Sequence, residues 1–155
     1  RSIPESSTPS IDHDLPIYVR WRRPLAFWKL LNKRQPIIDL ASSDATIQRG
    51  AYLVETLGHC GECHTSRNFI GGLKYGYWLG GAKNPTGRGM IPSLTPAKFT
   101  WNTEEIVEYL ASGFTPDFDV AGGHMVDVIE NTSKLTEQDR LAIAEYLKAI
   151  PGVQK

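Results

Sequence analysis

The sequence predicts an all-α domain of three to four helices, wrapped with long loops around one large apolar group. Three observations carry this expectation. Three stretches place apolar residues at helical spacing between capping residues, and no convincing alternating strand occurs in the 155 residues. Residues 65–101 are rich in glycine and show no clear period. A structureless loop of that length is unusual inside a compact domain. Three or four helices alone also leave a thin core for a domain of this size. A large group at the centre answers both problems.

The elements follow in chain order. Residues 1–43 differ from the rest. "RSIPESSTPSIDHDLP" is rich in Ser and Pro and reads as linker or extended chain. The segment behind it, within 17–40, is basic and aromatic. Residues 1–40 hold seven Lys/Arg against four Asp/Glu, whereas residues 41–155 hold ten against thirteen. The change of sign near residues 42–44 divides the chain into an extension, 1–43, and a domain, 44–155. Trp21, Phe27, Trp28 and Leu30 of the extension are expected to bury against the domain as a fixed strap, because large rings gain most from burial; the alternative is that the basic, aromatic segment 17–34 lies on a membrane surface or on a partner subunit.

The first helix lies in "SDATIQRGAYLVETLG", with Ser43 or Asp44 as N-cap and Gly58 as the stop. Ile47, Gly50, Ala51, Val54 and Leu57 share one face. The second lies in "WNTEEIVEYLASG", where Asn102 and Glu105 form a capping-box pattern and Gly113 ends the helix. "HMVDVIENTS" has room for one or two turns. The last helix runs through "LTEQDRLAIAEYLKAIPG", capped by Thr136 with Asp139 at the third position and ended by Pro151 and Gly152.

Composition narrows the function. Lys plus Arg equals Asp plus Glu, at 17 each, which argues against nucleic acid as a partner. No apolar run approaches the length of a membrane span. The opening on Arg1, with polar residues and proline, shows no signal peptide and is read as a mature protein or an excised piece.

Both cysteines lie in "LGHCGECHTSRN" as Cys60-x-x-Cys63-His64, the attachment pattern of a c-type haem. The chemistry requires this spacing. Two thiols add across the two vinyl groups of one porphyrin edge, and two intervening residues let both sulfurs reach that edge from one turn of chain. The adjacent His64 then swings under the ring and offers Nε2 to the iron. A disulfide or a thioredoxin-like pair needs no following histidine, and no βαβ pattern is present. A zinc site needs two more ligands, and His13, His59 and His124 show no such pairing. The pattern therefore predicts one covalent haem c.

The iron takes a second axial ligand for electron transfer or keeps an open site for catalysis or gas binding. Met125, in a glycine-led segment ahead of the last helix, is the preferred sixth ligand. Met90, in "TGRGMIPSLTP", and His124 are the alternatives. Guanidinium, indole and phenol groups suit the haem propionates. Arg67 and Trp101 lead these candidates, followed by Tyr75, Tyr77, Trp78 and Arg88.

The order of "RGAYLVETLGHCGECHTSRN", "IPSLTP", "WNTEEIVEYLASG" and "GGHMVDVIENTSKLTEQDRLAIAEYLKAIP" resembles class I c-type cytochromes. It is most similar to the haem domains in the multihaem cytochrome subunits of bacterial membrane-bound alcohol, gluconate and sorbitol dehydrogenases. The resemblance covers about residues 44–152 and implies the cytochrome c fold. It implies that Met125 is the sixth ligand, that Gly50 meets Tyr146 or Leu147 where two helices cross, and that the Pro92 carbonyl holds the Nδ1–H of His64. Ser93 stands where the family often has Asn. "LPIYVRWRRPLAFWKLLNKRQP" resembles the connector that precedes a later haem domain.

The function so implied is electron transfer without bond chemistry on a substrate, between a periplasmic dehydrogenase, another redox protein or a further haem domain of the same polypeptide and a downstream acceptor. The alternative from another class is a haem enzyme or a gas or redox sensor with a labile sixth ligand.

Overall fold

The computed structural model describes residues 7, 9, 11, 13–20, 22–33, 37, 44–85 and 87–153. The chain divides into two compact units, residues 1–33 and 34–155. The division falls ten residues before the compositional boundary, and Ile37 packs against the core of the second unit.

In the first unit, α1 spans Ile17–Arg20 and α2 spans Arg22–Leu31. Asn32 closes the end of α2 by donating its side-chain amide to the Trp28 carbonyl at 2.9 Å. Within this unit Phe27 and Leu30 are exposed and Trp28 is half-buried. Trp21 lies outside the described residues, as does Ser43.

The second unit begins with α3, Ala45–Tyr52. Asp44 has extended backbone and accepts the Ile47 N–H, so the cap is the aspartate. The helix widens into a π turn over Leu53–Leu57, closed by the Gly58 N–H on the Leu53 carbonyl at 2.6 Å. Such widened turns are frequent at functional sites. Gly58 stops the helix as expected, yet its backbone is right-handed; the left-handed residue is His59, at φ 49°. That reversal leads into α4, the single turn Cys60–His64.

Residues 65–101 are organised by local devices. Bridges pair Thr65 with Gly81 and Arg67 with Leu73. The Asn68 carboxamide accepts from the Ile70 and Gly72 amides, and Tyr75–Tyr77 forms a 3-10 turn. Two short antiparallel strands, β1 at Ala82–Lys83 and β2 at Met90–Ile91, pair Ala82 with Ile91. Two residues per strand are too few for an alternating pattern to register in sequence.

Three helices complete the unit: α5, Thr103–Ser112; α6, Met125–Thr132; and α7, Glu137–Ala149. The capping box of Asn102 and Glu105 is complete, and Gly113 ends α5 at φ 80°. Thr136 caps α7 by accepting the Asp139 N–H. The core lies where α3 and α5 pack against α7, with Val54, Leu79, Ala144 and Tyr146 fully buried.

Gly50 sets the α3–α7 approach. A Cβ there would overlap the Ala142 carbonyl oxygen and fall 2.7 Å from the Tyr146 Cβ. The crossing therefore pairs Gly50 with Ala142 and Tyr146. Beside it, the Arg49 guanidinium donates two bonds to Asp139, at 2.7 and 3.0 Å. The Arg49 hydrogen bond holds the Asp139 carboxyl below its ordinary pKa.

Two outcomes follow. Gly50→Ala should lower the stability of the domain by ~1–3 kcal/mol or more, as overpacking of backbone against backbone does; a melting temperature equal to wild type would show that the helices do not meet there. Because the folded-state pKa of Asp139 is depressed, its ion pair contributes fully above the unfolded value and is lost as pH falls through the folded one. Melting curves of Asp139→Asn should thus differ from wild type near neutrality and converge with it in strong acid. The difference should shrink in high salt, since both groups lie at the surface.

Candidate haem site

The site is built on α4. Gly61 is buried between the cysteines, and a Cβ there would overlap the ring of Trp78. A residue with a side chain would push the ring off the turn. The two thiols are free, Cys63 exposed and Cys60 half-buried. Burial pushes the Cys60 thiol up to about 11, so it is protonated at neutral pH.

His64 is 6% exposed. Its Nδ1 lies 2.9 Å from the Pro92 carbonyl oxygen. A carbonyl can only accept, so Nδ1 carries the proton and Nε2 holds the lone pair. Burial lowers the imidazole pKa, partly offset by the Pro92 carbonyl. The ring is held neutral, as a metal ligand must be. Gly81, at φ 87°, donates its N–H to the His64 carbonyl at 2.8 Å; a Cβ on it would come within 3.0 Å of the Ile91 carbonyl oxygen. The loop thus returns close against both His64 and the strand that leads to Pro92.

Trp78 supports the turn from behind. Its indole N–H donates to the Tyr146 hydroxyl at 3.1 Å, and that hydroxyl donates to Glu55 Oε1 at 2.5 Å. The indole has one donor, already given to Tyr146, so Trp78 is removed from the propionate candidates. Its role is packing on Gly61. Sequence reasoning missed this Trp78–Tyr146–Glu55 chain; the small residue between the cysteines is its one visible signal.

The other candidates fall as follows. Arg67 pairs with Glu62 of α4 and donates to the Gly71 carbonyl at 2.8 Å. Trp101 is half-buried, its ring 5.0 Å from that of Phe99 and 5.1 Å from that of Tyr109, centroid to centroid. Tyr75 stacks on Trp78, and Tyr77 and Arg88 are exposed. Met125 opens α6 and packs, half-buried, against the core. Met90 is 62% exposed on β2, two residues before the carbonyl that holds the Nδ1 side of His64. That side of the ring faces away from any metal bound at Nε2. His124 is exposed at the N-cap of α6.

The residues present fit a covalently held haem. Two free thiols share one turn, and the buried neutral imidazole beside them keeps Nε2 as its lone-pair nitrogen. Leu57, Phe69, Phe114, Phe118, Val120 and Val126, near the attachment and Met125 segments in sequence, are exposed. Among the described residues, no group of three His, Cys, Asp or Glu side chains is placed to hold a metal ion.

No family model matches the chain. It is 50% identical over 156 residues to a diheme cytochrome c-type protein of Cereibacter sphaeroides, a match covering 99% of this chain and 52% of the relative. It is 38% identical over 156 residues to the cytochrome c subunit of a quinone alcohol dehydrogenase of Gluconobacter oxydans, covering 92% of the chain and 32% of the relative. A fructose dehydrogenase cytochrome subunit of Gluconobacter japonicus is 33% identical over 152 residues, covering 93% and 30%. The chain spans about half the length of the first relative and about a third of the other two. Its relatives are thus c-type cytochromes and dehydrogenase cytochrome subunits, as its motifs imply, and its fold is the all-α cytochrome c fold.

Proposed function

We propose that the chain is an electron carrier, not a catalyst of bond chemistry. It holds one haem c through Cys60 and Cys63, with His64 and Met125 as axial ligands. The observation that carries this reading is the geometry of His64: buried, neutral, beside two free thiols, with Nδ1 committed to Pro92. When bound, the haem supplies a one-electron Fe(III)/Fe(II) couple. The residues do the rest. Pro92 fixes the His64 ring, and its bond raises the basicity of the ligand. Gly61 and Trp78 fix the turn that carries both sulfurs. The half-buried thioether of Met125, a soft neutral donor, suits the reduced iron. Trp101 and Arg67, whose guanidinium has five N–H donors, are the proposed propionate partners.

One CxxCH and two cysteines allow one haem c on these residues, whereas the first relative is named as diheme. A second haem domain on the same polypeptide is therefore one proposed electron partner. A dehydrogenase is the other, supported by the names of the relatives. Haem attachment to thiols is proposed to occur in the periplasm. No helix among the described residues is long and apolar enough to cross a membrane.

The test is spectroscopic. The oxidised protein should show the weak long-wavelength charge-transfer band of a thioether-ligated ferric haem. Met125→Ala should abolish it and Met90→Leu should retain it. The reverse pattern would make Met90 the ligand, and a wild-type spectrum lacking the band would favour the labile-ligand enzyme or sensor. His64→Ala should reduce the yield of holoprotein more severely than Met125→Ala. Removal of residues 1–40 should leave the haem spectrum unchanged, because every proposed ligand lies in residues 44–155; loss of the spectrum would contradict that boundary.

A further inference from the structure

We propose that Thr65 and the left-handed backbone of Leu79 are positioning elements for the axial histidine. By this inference the Thr65 hydroxyl tunes the iron's reduction potential without touching haem. The inference rests on His64 being the axial ligand.

Leu79 is fully buried and has φ 53°, a left-handed conformation that a bulky side chain disfavours. Something must hold it there, and a buried N–H must have an acceptor. Both needs meet in one bond. The Leu79 N–H donates to Thr65 Oγ1 at 3.0 Å, and Thr65 is itself 1% exposed. On its other side, the Leu79 carbonyl accepts the Leu94 N–H at 2.8 Å and the Ser93 hydroxyl at 3.4 Å.

The short segment 78–81 therefore has bonds on both flanks. Toward one flank lie Thr65 and, through the Gly81 N–H, the His64 carbonyl. Toward the other lie Ser93 and Leu94, the residues that follow Pro92. The His64–Pro92 bond closes this circuit. The left-handed turn at Leu79 is the spacer, so it sets how closely the Pro92 carbonyl approaches Nδ1. The Thr65 hydroxyl is the side-chain contact that holds the spacer to the His64 side.

The consequence for the iron has a definite sign. A strong Nδ1–H···O bond makes the imidazole a better donor and favours Fe(III). Loosening the spacer lengthens that bond, weakens the donor and favours Fe(II). The potential should rise.

The experiment compares reduction potentials of the holoproteins. Thr65→Val keeps the shape and removes the acceptor; its potential should shift upward, and its Leu79 amide should exchange about tenfold faster, as loss of one hydrogen bond implies. Thr65→Ser keeps the oxygen and should restore the wild-type potential. Thr136→Ala, which loses the α7 cap, should lower the melting temperature without moving the potential. Equal potentials for Thr65→Val and wild type, or an equal shift in Thr136→Ala, would overturn the inference. If Thr65→Val does not accumulate, exchange in the wild type decides: the Leu79 amide and the His64 Nδ1–H should be protected alike, and much faster exchange at Leu79 would overturn it. A wild type without haem, or with iron not bound by His64, overturns the underlying reading and the inference with it. A loaded wild type with His64 on the iron and an unmoved Thr65→Val overturns the inference alone.

Discussion

The bond between His64 Nδ1 and the Pro92 carbonyl spans 28 residues of chain, and much of the second unit serves to close it. A histidine beside two cysteines can turn its ring in several directions. Only one direction leaves Nε2 for a metal below the attachment turn. A side-chain acceptor would move with its rotamer, whereas a backbone carbonyl at a proline is fixed by the path of the chain. The path is long because it must pass around the turn and return. Gly81 permits a close approach in that return, since a side chain would meet the backbone of residues 91–93. The bridges and two-residue strands of residues 65–101 hold this path in place.

A second constraint supports the first from behind. Gly50 lets α3 and α7 approach backbone to backbone, and the approach brings Tyr146 into full burial. A buried phenol needs hydrogen-bond partners. Tyr146 accepts from Trp78 and donates to Glu55. Trp78 is thereby fixed with its ring on Gly61. The helix crossing and the attachment turn are thus one mechanical unit, joined by a single aromatic hydroxyl. The π turn over Leu53–Leu57 lies in the same unit, carrying Glu55 toward Tyr146 before the chain reverses at His59.

What the sequence displayed were features set by neighbours in the chain. Asp44, Asn102 with Glu105, and Thr136 all cap as their patterns indicate, because a cap is a bond across three residues. The CxxCH turn is legible for the same reason. The helix stop was legible at Gly58, but the left-handed residue was not, because the closing bond to Leu53 keeps the glycine right-handed and passes the reversal to His59. Trp78 illustrates the other limit. Its donor looks available in sequence, and only the fold brings it to Tyr146, 68 residues away. The charge change near residue 43 marks composition, whereas the unit boundary at residue 33 follows packing, with Ile37 already on the core.

The central claim is that Cys60 and Cys63 carry a haem through two thioether bonds, beneath which His64 is held by Pro92. The most direct measurement is the mass of the intact protein, secreted and matured in a host with haem-attachment machinery, after denaturation and extraction with acidified acetone. The account predicts a mass increase of one haem that survives this treatment and is lost from the doubly substituted Cys60→Ala, Cys63→Ala chain. A wild-type mass without haem, or two hydrogens lighter from a Cys60–Cys63 disulfide, would contradict it.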